Sequence, residues 1–119
     1  MNPAQVDIQQ LRIKHILFKS KVRSVLYGGN LDEEFFSSRG PINLWFSSVG
    51  TAKYSSEPEI AELYRLHQDL VMTALQLFSL YKNSKIEQAH EGLKLIDKSS
   101  ERFLLLLARL ESRFGQLAS

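Results

Sequence analysis

Apolar side chains recur at alternating steps of three and four along most of this chain, a period that a helix burying one face satisfies and a strand does not. Ile8, Leu11, His15, Phe18, Val22 and Val25 form the first stripe. Ile60, Leu63, His67, Leu70, Ala74, Leu77 and Tyr81 form the second. Ile86, Ala89, Leu93, Ile96, Ser100, Phe103, Leu107, Leu110, Phe114 and Leu117 carry the third to the end of the chain, with His90 beside it. His15 is the only polar member of its stripe, and His67 the only ionisable one in its own apart from the terminal Tyr81.

The ends of these helices are marked. Asn2 before Pro3, with Gln5 three residues on, predicts an N-cap, a proline in the first turn and a capping-box partner, and Gly28-Gly29 predicts a left-handed stop. Ser56 ahead of Glu57-Pro58-Glu59 reads as a second capping box. Asn83 reads as the end of that helix, and Ser84, with Glu87, as the start of the next. Long helices are therefore expected near 3–28, 57–83 and 85–116. Between the first two, Asn30 is expected to cap a short helix through Asp32, Glu33, Glu34, Phe35 and Phe36. Pro41 is expected to open another, carrying Ile42, Leu44, Trp45 and Phe46 and ending at Gly50. Such large apolar groups in short pieces must pack on something, and Trp45 is the expected anchor.

The fold class this predicts is all-α: an antiparallel four-helix bundle with three long helices and one broken element of short helices, filling residues 1–119 as a single domain. At 119 residues the chain is long enough for one core and too short for two ordinary ones. The surplus leucines Leu104, Leu105 and Leu106 exceed what one seam covers, so they serve either as contacts to the short helices or as a dimer face.

Composition excludes several functions. The formal charge of +2 is too small to imply a nucleic-acid surface. Residues 1–30 hold five Lys or Arg against one acid, and residues 31–59 two against five, a complementarity internal to the chain. Arg12, Lys14, Lys19 and Lys21 beside the first seam are expected to form a solvated face pairing with Asp97 or Glu111. The absence of cysteine rules out disulfides, thiolate ligands and thiol redox chemistry. No apolar run approaches a membrane span, and a cytoplasmic protein with no membrane partner is the expectation. No glycine-rich phosphate loop, nucleophile with adjacent base, or buried acid pair is present, so no enzyme is expected.

Two segments carry a resemblance. The run His-Ile-Leu-Phe-Lys-Ser-Lys-Val-Arg-Ser-Val-Leu-Tyr-Gly opened by His15 resembles the first-helix signature of the chemoreceptor zinc-binding (CZB) domain family. That family then shows a cysteine, an apolar residue two on, a glycine, a tryptophan five after the cysteine and a glycine five beyond. Trp45, Gly50 and the apolar Ile42 keep this spacing. Its next element is a helical His-x-x-x-His, whose second histidine His67 matches. The departures are specific: Gly40 stands where the family has its cysteine, Leu63 where it has the first histidine of the pair, and Asn43 where it has glycine.

The resemblance implies a bacterial signalling module related to chemotaxis, attached in the family to chemoreceptors or cyclic-di-GMP-making enzymes whose output follows zinc occupancy. Of the four ligands it implies, His15 and His67 remain, and zinc takes at least three protein donors. The two histidines are therefore expected to be a vestigial site, neutral in the core and in contact with each other, with no cofactor. The alternative is a sensor of zinc or another ligand that recruits donors from outside the family set, Glu62, Asp69 or His90 among them. Haem held between two histidines is a weaker option, since Leu11, Phe18, Leu63 and Leu70 fill the facing positions. With no receptor helix or catalytic domain in these residues, the expected mechanism is contact with a protein partner or homodimerisation, through Leu104–Leu106 and the short helices.

Overall fold

The structure, a computed structural model, describes residues 1–117; the side chain of Leu117 lies outside what is described. The described residues contain no strand. In chain order the helices are α1 (Pro3–Leu26), α2 (Pro41–Trp45), a π-helical turn (Phe46–Gly50), α3 (Thr51–Tyr54), α4 (Pro58–Lys82), α5 (Ile86–Glu91) and α6 (Leu93–Leu117). The three stripes face one core. Every member of the first is buried, as are Ile60, Leu63, His67, Leu70, Ala74 and Leu77 of the second and Ala89, Ile96, Ser100, Phe103, Leu107, Leu110 and Phe114 of the third.

Helix α1 packs along α6, and the contacts descend α6 as they ascend α1. Asn2 Nδ2 donates to Phe114 O at 3.1 Å, Arg12 meets Glu111 at 2.7 Å, His15 meets Ser100, and Lys19 pairs with Asp97 at 3.3 Å. The expected pairing of the basic flank with Asp97 and Glu111 is thus present. The first N-terminus is as predicted: Asn2 Oδ1 accepts from Gln5 N at 2.9 Å while Asn2 N donates to Gln5 Oε1 at 3.1 Å, which satisfies two donors that a helix start leaves open. Gly28, at φ +99°, makes the left-handed stop, where a side chain would be strained.

Other boundaries differ from expectation. Asn30 caps nothing. Asp32 Oδ1 instead accepts from Phe35 N at 3.1 Å and Ser37 Oγ donates to Glu34 O at 2.7 Å, so short polar side chains hold residues 33–36 in turns and no helix forms there. The Pro41 element does not end at Gly50 but continues through the π-helical turn to Tyr54. Ser56 is not a cap: α4 begins after Glu57, without a side-chain cap, and Pro58 supplies the first-turn residue. Ser84 does not cap the third helix either. It sits at φ +65°, closing α4 in the left-handed region, whereas an N-cap needs extended backbone. The expected helix 85–116 is two helices, α5 and α6, broken at Gly92, where a Cβ would stand 2.1 Å from Leu77 Cδ2 of α4.

The broken element is clamped to α1 at one residue. Trp45 Nε1 donates to Asp7 O at 3.1 Å, Tyr54 Oη donates to Asp7 Oδ2 at 2.6 Å, and Lys53 pairs with the same carboxylate at 3.4 Å. The Trp45 ring lies over Gly50, whose missing side chain makes room: a Cβ there would come within 2.9 Å of Trp45 Cζ3. That contact is the physical content of the Trp-x-x-x-x-Gly spacing. No helix among the described residues is long and apolar enough to cross a membrane.

Candidate functional site: a buried histidine pair beside a neutral cleft

His15 and His67 enter the core from α1 and α4, and both are buried. His15 forms a 2.7 Å hydrogen bond between Nε2 and Ser100 Oγ of α6, and its ring stacks on Phe103 at 4.3 Å between centroids. His67 is packed edge to face against Phe18 at 5.3 Å and tilted against Phe46 at 6.4 Å. No hydrogen bond joins the two imidazoles, although His67 lies close enough to act electrostatically on His15. Ser100, a polar residue inside the third apolar stripe, takes His15 instead, because α1 lies directly on α6 at that level. The Nδ1 atoms of both rings are buried without a partner.

Burial is what sets the charge state of the pair. Desolvation penalises imidazolium and lowers His15 to about 4, helped by the nearby Lys19 and His67 charges. Desolvation alone lowers His67 to about 4. At neutral pH both are uncharged, and each keeps an unpartnered ring nitrogen in an apolar setting. Ser100→Ala should then cost roughly 1–3 kcal/mol, since it strips the one polar partner from a buried imidazole. Chemical denaturation at pH 7 measures this. A change no larger than that of an exposed serine would mean that the bond contributes nothing.

These residues do not fit the zinc set that the resemblance implies. Leu63 is fully buried one turn before His67 and fills the donor position with an isobutyl group. Gly40 offers no donor and has no room for one, because a Cβ there would lie 2.1 Å from Phe35 O and 3.0 Å from Phe35 C. Among the described residues no three His, Cys, Asp or Glu side chains gather where they could hold a metal ion. Glu62 is engaged by Arg102 at 2.8 Å. His90 stacks on Tyr27 at 4.1 Å and bonds through Nε2 to Leu26 O, at the C-terminal end of α1, as a cap for that helix.

The other predicted residues are divided. Trp45 is a core anchor in position, buried and hydrogen-bonded. Leu104–Leu106 do not share a face: Leu106 is in the core, Leu104 packs half-buried against it, and Leu105 is 46% exposed. A helical turn rotates successive residues by about 100°, so three leucines in a row had to separate. The outward apolar stripe lies elsewhere, on α1, where Ile13, Ile16 and Leu17 are 64%, 53% and 45% exposed at i, i+3, i+4 spacing. Its signal was present in the sequence, offset from the seam, and hidden by the stronger inward stripe.

Beside His67, behind Phe46, a cleft of about 640 Å³ opens between the turn after α1, the broken element and α4. Phe36, Phe46, Ile60, Ala61, Tyr64 and Val71 supply its apolar lining, and Ser37, Ser38, Asn43, Ser47, Thr51, Ser55 and Gln68 its polar one. Comparison with protein-family models, curated proteins and solved structures gives no match. The class that fold and site define is therefore a small all-helical protein with an uncharged histidine pair in its core. The likeness to the CZB family rests on the quoted residues.

Proposed function

We propose that this chain is a small signalling and interaction module, an antiparallel four-helix bundle resembling the CZB sensor domain, in which packing has replaced the metal site and output passes by protein–protein contact. The observation that carries this reading is the closure of both missing ligand positions, by the buried Leu63 side chain and by Phe35 O against Gly40. The descending order of α1–α6 contacts supports the antiparallel arrangement. In this reading His15 and His67 are structural, no catalytic step is performed, no nucleic acid or membrane is bound, and the location is the cytoplasm. The contact surface is the exposed α1 stripe, with Leu105 and the short helices secondary. A large apolar group in water gains about 25 cal/mol per Å² when a partner covers it.

One observation favours the rival reading, a sensor of zinc or another ligand on His15 and His67 completed by donors outside the family set. Both Nδ1 atoms are unpartnered, and both rings are neutral, the form that binds metals. Melting of the purified protein during zinc titration separates the two, because a ligand that binds only the folded form raises its stability. The contact reading expects no rise near micromolar zinc. A rise that disappears in His15→Ala or His67→Ala overturns it in favour of the sensor. For the homodimer branch, light scattering should show a concentration-dependent mass that Ile16→Asp reduces to the monomer.

A further inference from the structure

We infer that the cleft between α4 and the broken element is a binding site for a neutral, planar aromatic ligand bearing a carboxamide or a similar donor–acceptor edge. It stands apart from the contact reading and would survive that reading's failure. Size comes first: about 640 Å³ lies inside the range of small-molecule sites, commonly some 300–1,000 Å³.

Charge narrows the ligand. None of the thirteen lining residues carries one, so an ion seated there would give up water with no opposite charge to replace it. Shape narrows it further. Phe46 and Tyr64 meet edge to face at 5.3 Å, and with Phe36 they offer rings against which a flat aromatic body packs in stacked or edge contacts.

The polar recognition is built in. Asn43 Nδ2 donates to Ser37 O at 3.2 Å, and a backbone carbonyl only accepts, which orients the Asn43 amide. Its Oδ1 must then face Gln68, whose Nε2 donates to it at 3.0 Å, and this fixes the second amide in turn. Gln68 is left with its carbonyl oxygen and one N–H, an acceptor and a donor at the cleft. A primary amide on the ligand answers both. The wall that carries Phe46 and Ser47 is the π-helical turn, a costly local geometry that recurs at functional sites.

Benzamide is the smallest probe with these features. Titrated into ¹⁵N-labelled protein, it should give saturable amide shifts centred on residues 36–47 and 60–71. Benzoate and benzylamine, same-sized probes carrying a charge, should bind at least about tenfold more weakly. Gln68→Leu should weaken benzamide by about fivefold or more while leaving toluene unchanged, the pattern expected when one hydrogen-bonding edge is lost. Tyr64→Ala should weaken both. Gln68 is half-buried and Tyr64 exposed, and a melting curve confirms that each variant is folded. The inference is overturned if benzamide gives no saturable shift, if its shifts centre elsewhere, if benzoate binds as well, or if Gln68→Leu leaves benzamide affinity unchanged.

Discussion

Between pH 6.5 and pH 4 this protein should lose most of its stability through two buried imidazoles. His15 and His67 each fall from 6.5 to about 4 through burial, so in that interval these two sites take up protons in the unfolded chain and resist doing so in the folded one. A group whose folded pKa is depressed contributes stability that is complete above the unfolded value and disappears as pH falls through the folded one. The gap is worth roughly 3 kcal/mol for each imidazole, and the pair on the order of 6 kcal/mol. That is comparable with the whole stability of a small domain, about 5–15 kcal/mol. Glu59, held down to about 2 first of all by its hydrogen bond from Arg113, titrates later, so its loss falls in a separate window below its ordinary 4.5. Urea denaturation at a series of pH values should show the steep histidine decline. In a His15→Leu, His67→Leu variant the decline between pH 6.5 and 4 should be nearly flat. A flat wild-type profile would mean that the imidazoles are hydrated or paired, contrary to the burial described above.

Trp45→Ala is the substitution expected to cost most at a single site, about 3–5 kcal/mol. The indole is almost completely buried, meets Phe46 edge to face at 5.3 Å and covers Gly50. Its removal opens a cavity that neighbours already held by helix geometry cannot fill, and it leaves Asp7 O without the indole N–H. The damage should be local as well as global. Tyr54 and Lys53 still reach Asp7, but they are at the far end of the 41–54 run. Amide exchange in residues 41–54 should therefore accelerate more than in α4 or α6. Trp45→Phe, which retains most of the apolar volume and loses only the hydrogen bond, should cost about 1–2 kcal/mol. Equal losses for the two variants would show that the hydrogen bond, and not the packing, anchors the element.

The inward faces were legible because burial on a helix imposes a period, and a period survives in one dimension. His15, Ser100 and Phe103 each stood in a stripe, although nothing in their spacing said which polar residue would meet which. Asn2 and Gln5 were legible for a similar reason: a capping box closes within four residues and depends on nothing distant. Ser56 and Ser84 had the same local chemistry and failed, because at Ser84 the reversal between α4 and α5 demanded left-handed backbone and at Ser56 the helix started one residue later. The break at Gly92 was invisible, since its cause is Leu77, fifteen positions away and on another helix.

Sequence alone determined that the chain is helical, which faces turn inward, and that two imidazoles sit among apolar neighbours; these follow from the regular rotation of side chains around a helix and from the cost of leaving such faces wet. Only tertiary structure decided that the imidazoles bond to Ser100 or to nothing rather than to each other. It likewise decided that Gly40 is walled in by Phe35, and that Asn43 and Gln68 meet across a cleft. Each of those outcomes joins residues from separate elements within a few ångströms. Such meetings depend on how helices cross and at what height, quantities set by the packing of the whole core.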